Sequence, residues 1–266
     1  MPQTERFAQL DPVSAAHGDV HPQPFYSIIV PAYNEAAWLP QLLGALTTQQ
    51  TDHPYEIIVV ANNCTDQTAQ LARARGVHTL EYTNPNYGVA YARQVGLLHA
   101  RGTLIATTDA DAVMPPTWLV TLCQPLLEHA DWSAVTGPVR HYTEAAYPRV
   151  AYLKLYDLLQ NCVRRLKCSA GSVERVTLGT NMAFRREQAL SVGGYQPQRV
   201  IGEDFAIGHA LAGSGSVHFV AAAAATVYSS ARRFAGKSFW NVLRHDLGGA
   251  DCLYGTATRY QMENIR

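Results

Sequence analysis

The sequence predicts an α/β fold with a mostly parallel central sheet flanked by helices, organised as a single domain with two halves. Three observations predict it. From Phe25 onward, short apolar runs alternate with segments whose apolar residues recur at helical spacing. The runs are apolar nearly throughout instead of alternating with polar residues, as in strands covered on both faces. The chain has 266 residues, 47% hydrophobic and 16% charged, enough to bury a sizeable core.

Residues 1–24 lack periodicity and read as a poorly ordered lead-in. Tyr26 to Val30 is the first strand, and Trp38, Leu39, Leu42, Leu43 and Leu46 share one face of the helix after it. Glu56 to Val60 is the second strand, and Asp66 to Arg75 a helix that Gly76 can end. Val77 to Tyr82 is a third strand, Gly88 to Ala100 a helix, and Thr103 to Thr108 a fourth strand running into Asp109-Ala110-Asp111. Pro115 and Pro116 suit the first turn of a helix reaching about His129, and Ser133 to Val139 is the next strand. Ala146 to Lys167 is a long amphipathic helix; Val176 to Arg185 a strand; Gly193-Gly194-Tyr195 a turn; Glu203 to Ala212 a helix. Val217 to Tyr228 holds one or two strands. Residues 25–235 thus form the domain, and 236–266 a helical extension beside it.

Composition narrows the function classes. Lys plus Arg and Asp plus Glu are 21 each, so net charge points to no nucleic-acid partner. The five cysteines include no C-x-x-C pair, which fits neither a disulfide framework nor a zinc site and suggests a reducing cytoplasm. No apolar stretch approaches the ~20 residues of a membrane span, and no charged-then-apolar signal opens the chain. Trp240 and Tyr254 leave peripheral contact with a membrane face as an option.

Ligands of open parallel sheets bind beyond the carboxyl ends of the strands. Polar residues gather there: Pro31-Ala32-Tyr33-Asn34-Glu35 after the first strand, Asn62-Asn63-Cys64-Thr65-Asp66 after the second, Asp109-Ala110-Asp111 after the fourth. Thr65 or Asp66 also suits an ordinary N-cap. On an extended strand end, Asp109 and Asp111 would project to one side and share a hard cation with a diphosphate. Glu203-Asp204 opens a helix, where a dipole partner and a general base are alternative readings. Arg232 and Arg233 are either a surface basic pair or a diphosphate clamp.

The ordered series Ile28 to Glu35, Ile58 to Asp66, Ala92-Arg93, Asp109-Ala110-Asp111, Gly179-Thr180-Asn181-Met182-Ala183-Phe184-Arg185, Gly193-Gly194-Tyr195 and Glu203-Asp204 resembles the motifs of family 2 glycosyltransferases across about residues 25–235. The resemblance implies a GT-A (Rossmann-like) fold with nucleotide-binding and acceptor-binding halves. It implies inverting transfer of a sugar from a nucleotide diphosphate to an acceptor such as a glycan, a lipid-linked intermediate or a small molecule. Pro31, Tyr33, Glu35 and Asn62 would then line base and ribose, with Arg93, Asp109, Arg232 and Arg233 also on the donor. Asp111 would hold Mg²⁺ or Mn²⁺, Asp204 would be the base, and Asn181 and Glu203 would place the acceptor.

Departures sharpen the reading. Where many relatives carry Asp-Asp-Gly-Ser-Thr-Asp, this chain has Ala61 to Asp66, so Asn62, which both donates and accepts hydrogen bonds, replaces a carboxylate. A Gln-x-x-Arg-Trp motif of processive synthases is absent, favouring transfer of a single sugar. A metal-ligating His found in some GT-A enzymes is replaced by Tyr228-Ser229-Ser230-Ala231-Arg232-Arg233. The alternatives are a non-catalytic nucleotide-sugar-binding or scaffold protein of this fold, and a sugar nucleotidyltransferase. The expected location is the cytoplasm, including the inner face of the membrane.

Overall fold

The computed structural model describes residues 23–83, 88–142, 150–199 and 201–234. The expectations for residues 1–22 and for the C-terminal extension from 235 onward, Trp240 and Tyr254 included, lie outside the described residues.

A seven-stranded sheet runs through the molecule in the order β3-β2-β1-β4-β8-β6-β9. Its parallel half is β1 (Tyr26–Ala32), β2 (Tyr55–Asn62), β3 (His78–Tyr82) and β4 (Leu104–Thr107). Helices α1 (Leu39–Leu46), α2 (Thr68–Ala74) and α3 (Val89–His99) connect these strands. All seven residues of β1 are buried, as the uninterrupted apolar run requires. One core packs Ile28, Val30 and Val59 with Leu39, Leu42, Leu43 and Leu46 of α1; the other packs Ile29, Ile58 and Val60 with α3.

The second half departs from the expected strand limits. After β4 the chain turns, so Asp109 to Ala112 is not extended: the Ala112 N–H donates to the Asp109 carbonyl at 3.2 Å. A two-residue β5 (Ala112–Val113) follows, then α4 (Trp118–Glu128). The strand expected over Ser133 to Val139 is two: β6 (Trp132–Thr136) in the large sheet and β7 (Val139–Tyr142) in a small one. They break at Gly137-Pro138, where proline cannot donate to a ladder. The amphipathic helix is α5 (Val150–Ser169).

The strand expected over Val176 to Arg185 is only β8 (Met182–Arg185), antiparallel to β4 and β6. Residues 176–181 are loop because their polar groups bind α5, β4 and the helix ahead instead of a neighbouring strand. After α6 (Arg186–Ser191) and α7 (Glu203–Leu211) come β9 (Ser216–Phe219) and β10 (Val227–Ser230), one in each sheet. The small sheet has the order β5-β10-β7, so β10 lies against the segment that follows Asp111. Among the described residues no helix is long and apolar enough to cross a membrane.

Candidate active site

Strand order reverses between β1 and β4: the chain from β1 builds outward to β2 and β3, then returns on the other side. Such a reversal opens a crevice beyond the carboxyl ends of the strands. The β1 and β2 ends meet there and are stitched together. Asn34 and Asn63 hold left-handed backbone (φ 53° and 59°), which asparagine tolerates. The Thr65 N–H donates to Asn34 Oδ1 (2.8 Å), the Glu35 N–H to Thr68 Oγ1 (2.7 Å), and the Ala36 N–H to Asp66 Oδ2 (3.0 Å). Partial burial of Asp66 raises its carboxyl, but the Thr68 hydroxyl and the Ala36 and Thr68 N–H groups outweigh this and hold it below the ordinary aspartate value. Asp66 is thus a brace between two loops, and α2 begins two residues after it, at Thr68, whose N–H it also accepts.

Arg93 of α3 sits under the centre of the crevice, its side chain 3% exposed. It donates through Nη2 to Asp109 Oδ1 at 2.6 Å and through Nη1 to Glu203 Oε1. One guanidinium therefore ties the loop after β4 to the first turn of α7, residues 94 positions apart by 203 − 109. Burial alone would lower its pKa, but Asp109 and Glu203 reverse the direction and keep it charged. Gly179 leaves room for it: a Cβ there would lie 2.3 Å from Arg93 Cζ.

Asp111 belongs to a second cluster. Arg232 donates through Nε to Asp111 Oδ2 at 2.9 Å and through Nη2 to Glu35 Oε1, and its guanidinium lies 5.5 Å from the centre of the Trp38 ring. Ser229 Oγ donates to Asp111 Oδ1 at 3.3 Å. Pairing of Ser229 with Ala112 in the small sheet brings Arg232 back to a carboxylate 121 residues earlier. Asp111 is sealed, its side chain 1% exposed, whereas Arg232 is 34% exposed and reaches solvent.

Asp204 is half-buried beside Glu203, behind Gly202, whose left-handed backbone (φ 70°) starts α7. Its Oδ2 accepts the Gly179 N–H and its Oδ1 the Phe205 N–H, both at 2.9 Å. These two bonds fix the carboxylate plane and leave each oxygen further accepting capacity. Burial raises the carboxyls of both Glu203 and Asp204 above their ordinary values, against the pull of Arg93. A fixed, half-open carboxylate with a raised pKa can accept a proton from a bound hydroxyl.

The expected residues divide by placement. Tyr33, Glu35, Asp109, Asp204 and Arg232 stand at the crevice with exposed or half-buried side chains; Asn62, at the end of β2, and Asp111 line it from below, buried. Other expected residues are held more deeply. Pro31 is buried within β1, opposite Val60. Arg93 is buried and braces carboxylates from beneath. Asn181, fully buried, is not open to an acceptor: Nδ2 donates to the Pro138 and Ala225 carbonyls (2.7 and 2.8 Å), and Oδ1 accepts Trp118 Nε1–H (3.0 Å). Glu203 is likewise turned toward Arg93 and buried, which ties the start of α7 to that guanidinium. The expected shared face of Asp109 and Asp111 gives way to separate arginines, because the turn after β4 replaces extended backbone. The Arg233 side chain lies outside the described residues. Ser229 and Trp38 were not anticipated; their only sequence signals are the serine pair before Arg232 and a tryptophan preceding Leu39.

The donor set suits a hard cation in one way. Among the described residues no three His, Cys, Asp or Glu gather as a metal cage. Asp111 nevertheless offers carboxylate oxygen beside the crevice, and Mg²⁺-type ions are commonly held by one or two carboxylates plus substrate phosphates. Both Asp111 oxygens are engaged, by Arg232 Nε and Ser229 Oγ, so an ion held there would take the place of Arg232.

Solved structures share this architecture. A mannosyltransferase from Pyrobaculum calidifontis, PcManGT, in complex with GDP-Man and Mn²⁺ superposes with a TM-score of 0.60 at 22% identity, covering 91% of this chain and 66% of that one. S. aureus TarS 1-349 gives a TM-score of 0.56 at 18% identity over 83% of this chain and 64% of that one, and is also known in complex with UDP-GlcNAc. The chain therefore spans slightly under two thirds of the length of these relatives. The fold is GT-A, and the family model described as Glycosyl transferase family 2 matches residues 27–189, well over half the chain. The protein belongs to glycosyl transferase family 2.

Proposed function

We propose that this chain is an inverting glycosyltransferase that moves one sugar from a nucleotide diphosphate sugar to an acceptor hydroxyl, with Asp204 as general base. One observation carries the reading: Arg93 binds Asp109 and Glu203 together, so the donor-side loop and the base-bearing helix face one crevice. The ligands named for the neighbours, GDP-Man with Mn²⁺ in one and UDP-GlcNAc in the other, support a nucleotide-sugar donor.

The donor's nucleoside lies over the β1 and β2 ends, where Tyr33 is exposed and Asn62 lies below. Its diphosphate extends toward Asp111 and Arg232. The acceptor hydroxyl gives its proton to the Asp204 carboxylate while its oxygen attacks the anomeric carbon from the face opposite the phosphate. The bond between that carbon and the phosphate oxygen breaks, its electron pair leaves on the nucleoside diphosphate, and the single displacement inverts the centre. Arg232 meets the charge developing on the leaving group. Asp111 would be the residue to hold Mg²⁺ or Mn²⁺, and such an ion would supply further positive charge beside the leaving group.

The Asp204→Asn variant tests this. Transfer should fall at least about 10²-fold, in line with loss of a general base. Calorimetry with UDP and GDP sugars, with and without Mn²⁺, should show donor binding retained, and thermal unfolding should show a folded chain. Transfer at the parent rate would remove Asp204 from the reaction.

A further inference from the structure

Helix α5 has two apolar faces, and among the described residues only one of them is packed against the rest of the molecule. Its inner face packs on the acceptor half through Leu153, Tyr156 and Cys168. Polar bonds fix it there: Asp157 accepts the His141 N–H (2.8 Å), and Arg164 donates to the Val176 and Gly137 carbonyls (2.7 and 3.1 Å). The outer face carries Leu155, Leu158, Leu159, Cys162, Val163 and Leu166, a continuous stripe at helical spacing. Leu158 and Leu166 are 60% and 69% exposed, far from the isolated exposed apolar residues that a soluble surface tolerates.

Charge selects the occupant. The exposed cations of α5 are Lys154 and Arg165, with Lys167 half-exposed at the end of the stripe; its single acid, Asp157, faces inward. A second copy laid on this face would set these cations against their own kind, whether the helices ran parallel or antiparallel. A surface rich in anionic lipid headgroups matches both the leucine stripe and its basic flanks. The helix is too polar to span a bilayer, which suits one lying in the headgroup plane.

We infer that the outer face of α5 docks on an anionic lipid surface, with Leu155, Leu158, Leu159 and Leu166 inserted at the level of the acyl boundary. Docking there would turn the acceptor half toward the bilayer. The surface stands apart from the catalytic reading, and the test reads no activity.

Flotation of the full chain on phosphatidylcholine vesicles containing a minority of phosphatidylglycerol should carry it with the lipid. High salt or pure phosphatidylcholine should reduce the floated fraction. The Leu158→Gln/Leu166→Gln double variant should lower partitioning at least about tenfold, because each inserted apolar side chain adds to affinity in proportion to its buried area. Its thermal unfolding should match the parent. A parent chain that stays in the soluble fraction, equal flotation without phosphatidylglycerol, or a double variant that floats like the parent would each overturn the assignment. So would light scattering that shows a dimer which the double variant dissociates, since the stripe would then face a second copy.

Discussion

The two halves of the central sheet reach similar burial by different chemistry. In the parallel half, β1, β2 and β4 fill the interior with Ile28, Ile29, Val30, Ile58, Val59, Val60 and Ile105, and the polar groups come at the strand ends. In the other half the chain carries polar side chains into the core: Asn181 is fully buried, and Arg164 is 3% exposed. Carbonyls, Asn161 and Thr136 hold Arg164, and burial pulls its pKa down to about 10. The lesson is that the parallel half is built as a rigid apolar platform, whereas the other half is specified by directional bonds. Directional bonds place loops that have no ladder to follow.

That contrast can be broken, most severely at the hinge between the halves. Replacing Arg93 by Met leaves Asp109 and Glu203 without their shared cation, and breaking a buried pair costs about 3–5 kcal/mol. Urea unfolding at neutral to alkaline pH should show a loss of this size. The loss should shrink in mildly acidic buffer, where the stranded Glu203 carboxyl, which burial already raises, takes up a proton; a pH-independent loss would mean that the arginine acts by packing alone.

A smaller effect sharpens the comparison between interiors. Asn181→Ala orphans the Trp118 indole N–H and takes a donor from the Ala225 carbonyl and from the Pro138 carbonyl, which keeps the Val227 N–H, at about 1–3 kcal/mol for a buried group left unmade, so a total near 3 kcal/mol is expected. Ile58→Val in the parallel half removes one methyl and should cost about 1 kcal/mol. Denaturant midpoints with unchanged slopes would measure both, and a larger cost for Ile58→Val would reverse the assignment of the two halves.

The smallest expected effect is a displacement on the pH axis. With Asp204 as the proposed base, transfer requires its ionised form, and burial raises its carboxyl, so the rate should climb with pH through an apparent value above that of an ordinary aspartate. Removing the neighbouring acid by Glu203→Gln should move that limb to lower pH. Stability runs the other way: carboxyls raised in the folded state favour folding most in acid, below their unfolded values, and lose that contribution as pH rises through the folded ones. A rate profile unmoved by Glu203→Gln would uncouple the pair.

Much of the parallel half was legible because its signal is local. Uninterrupted apolar runs read as β1, β2 and β4, and the polar residues after them read as one rim, which the reversal of strand order at β1 and β4 indeed assembles. The motif around residues 179–185 misled as secondary structure. Val176 to Asn181 looks like strand, yet Thr177 and Gly179 bind α7 and β4, and only Met182–Arg185 pairs in the sheet. Asn181 was expected to meet an acceptor; three bonds made to residues 43 to 63 positions away absorb its amide instead.

By itself the sequence determined the α/β class, the apolar strands and the set of charged residues that converge on the crevice. Periodicity and turn chemistry depend on near neighbours, so they are written along the chain. Only the tertiary structure decided which charge meets which: Arg93 with Asp109 and Glu203, and Arg232 with Asp111 and Glu35. Those pairings join elements separated by as many as 197 residues, and an arginine carries no local mark of the carboxylate it will find. The partner is set by where two sheets and a strand-order reversal bring the backbone.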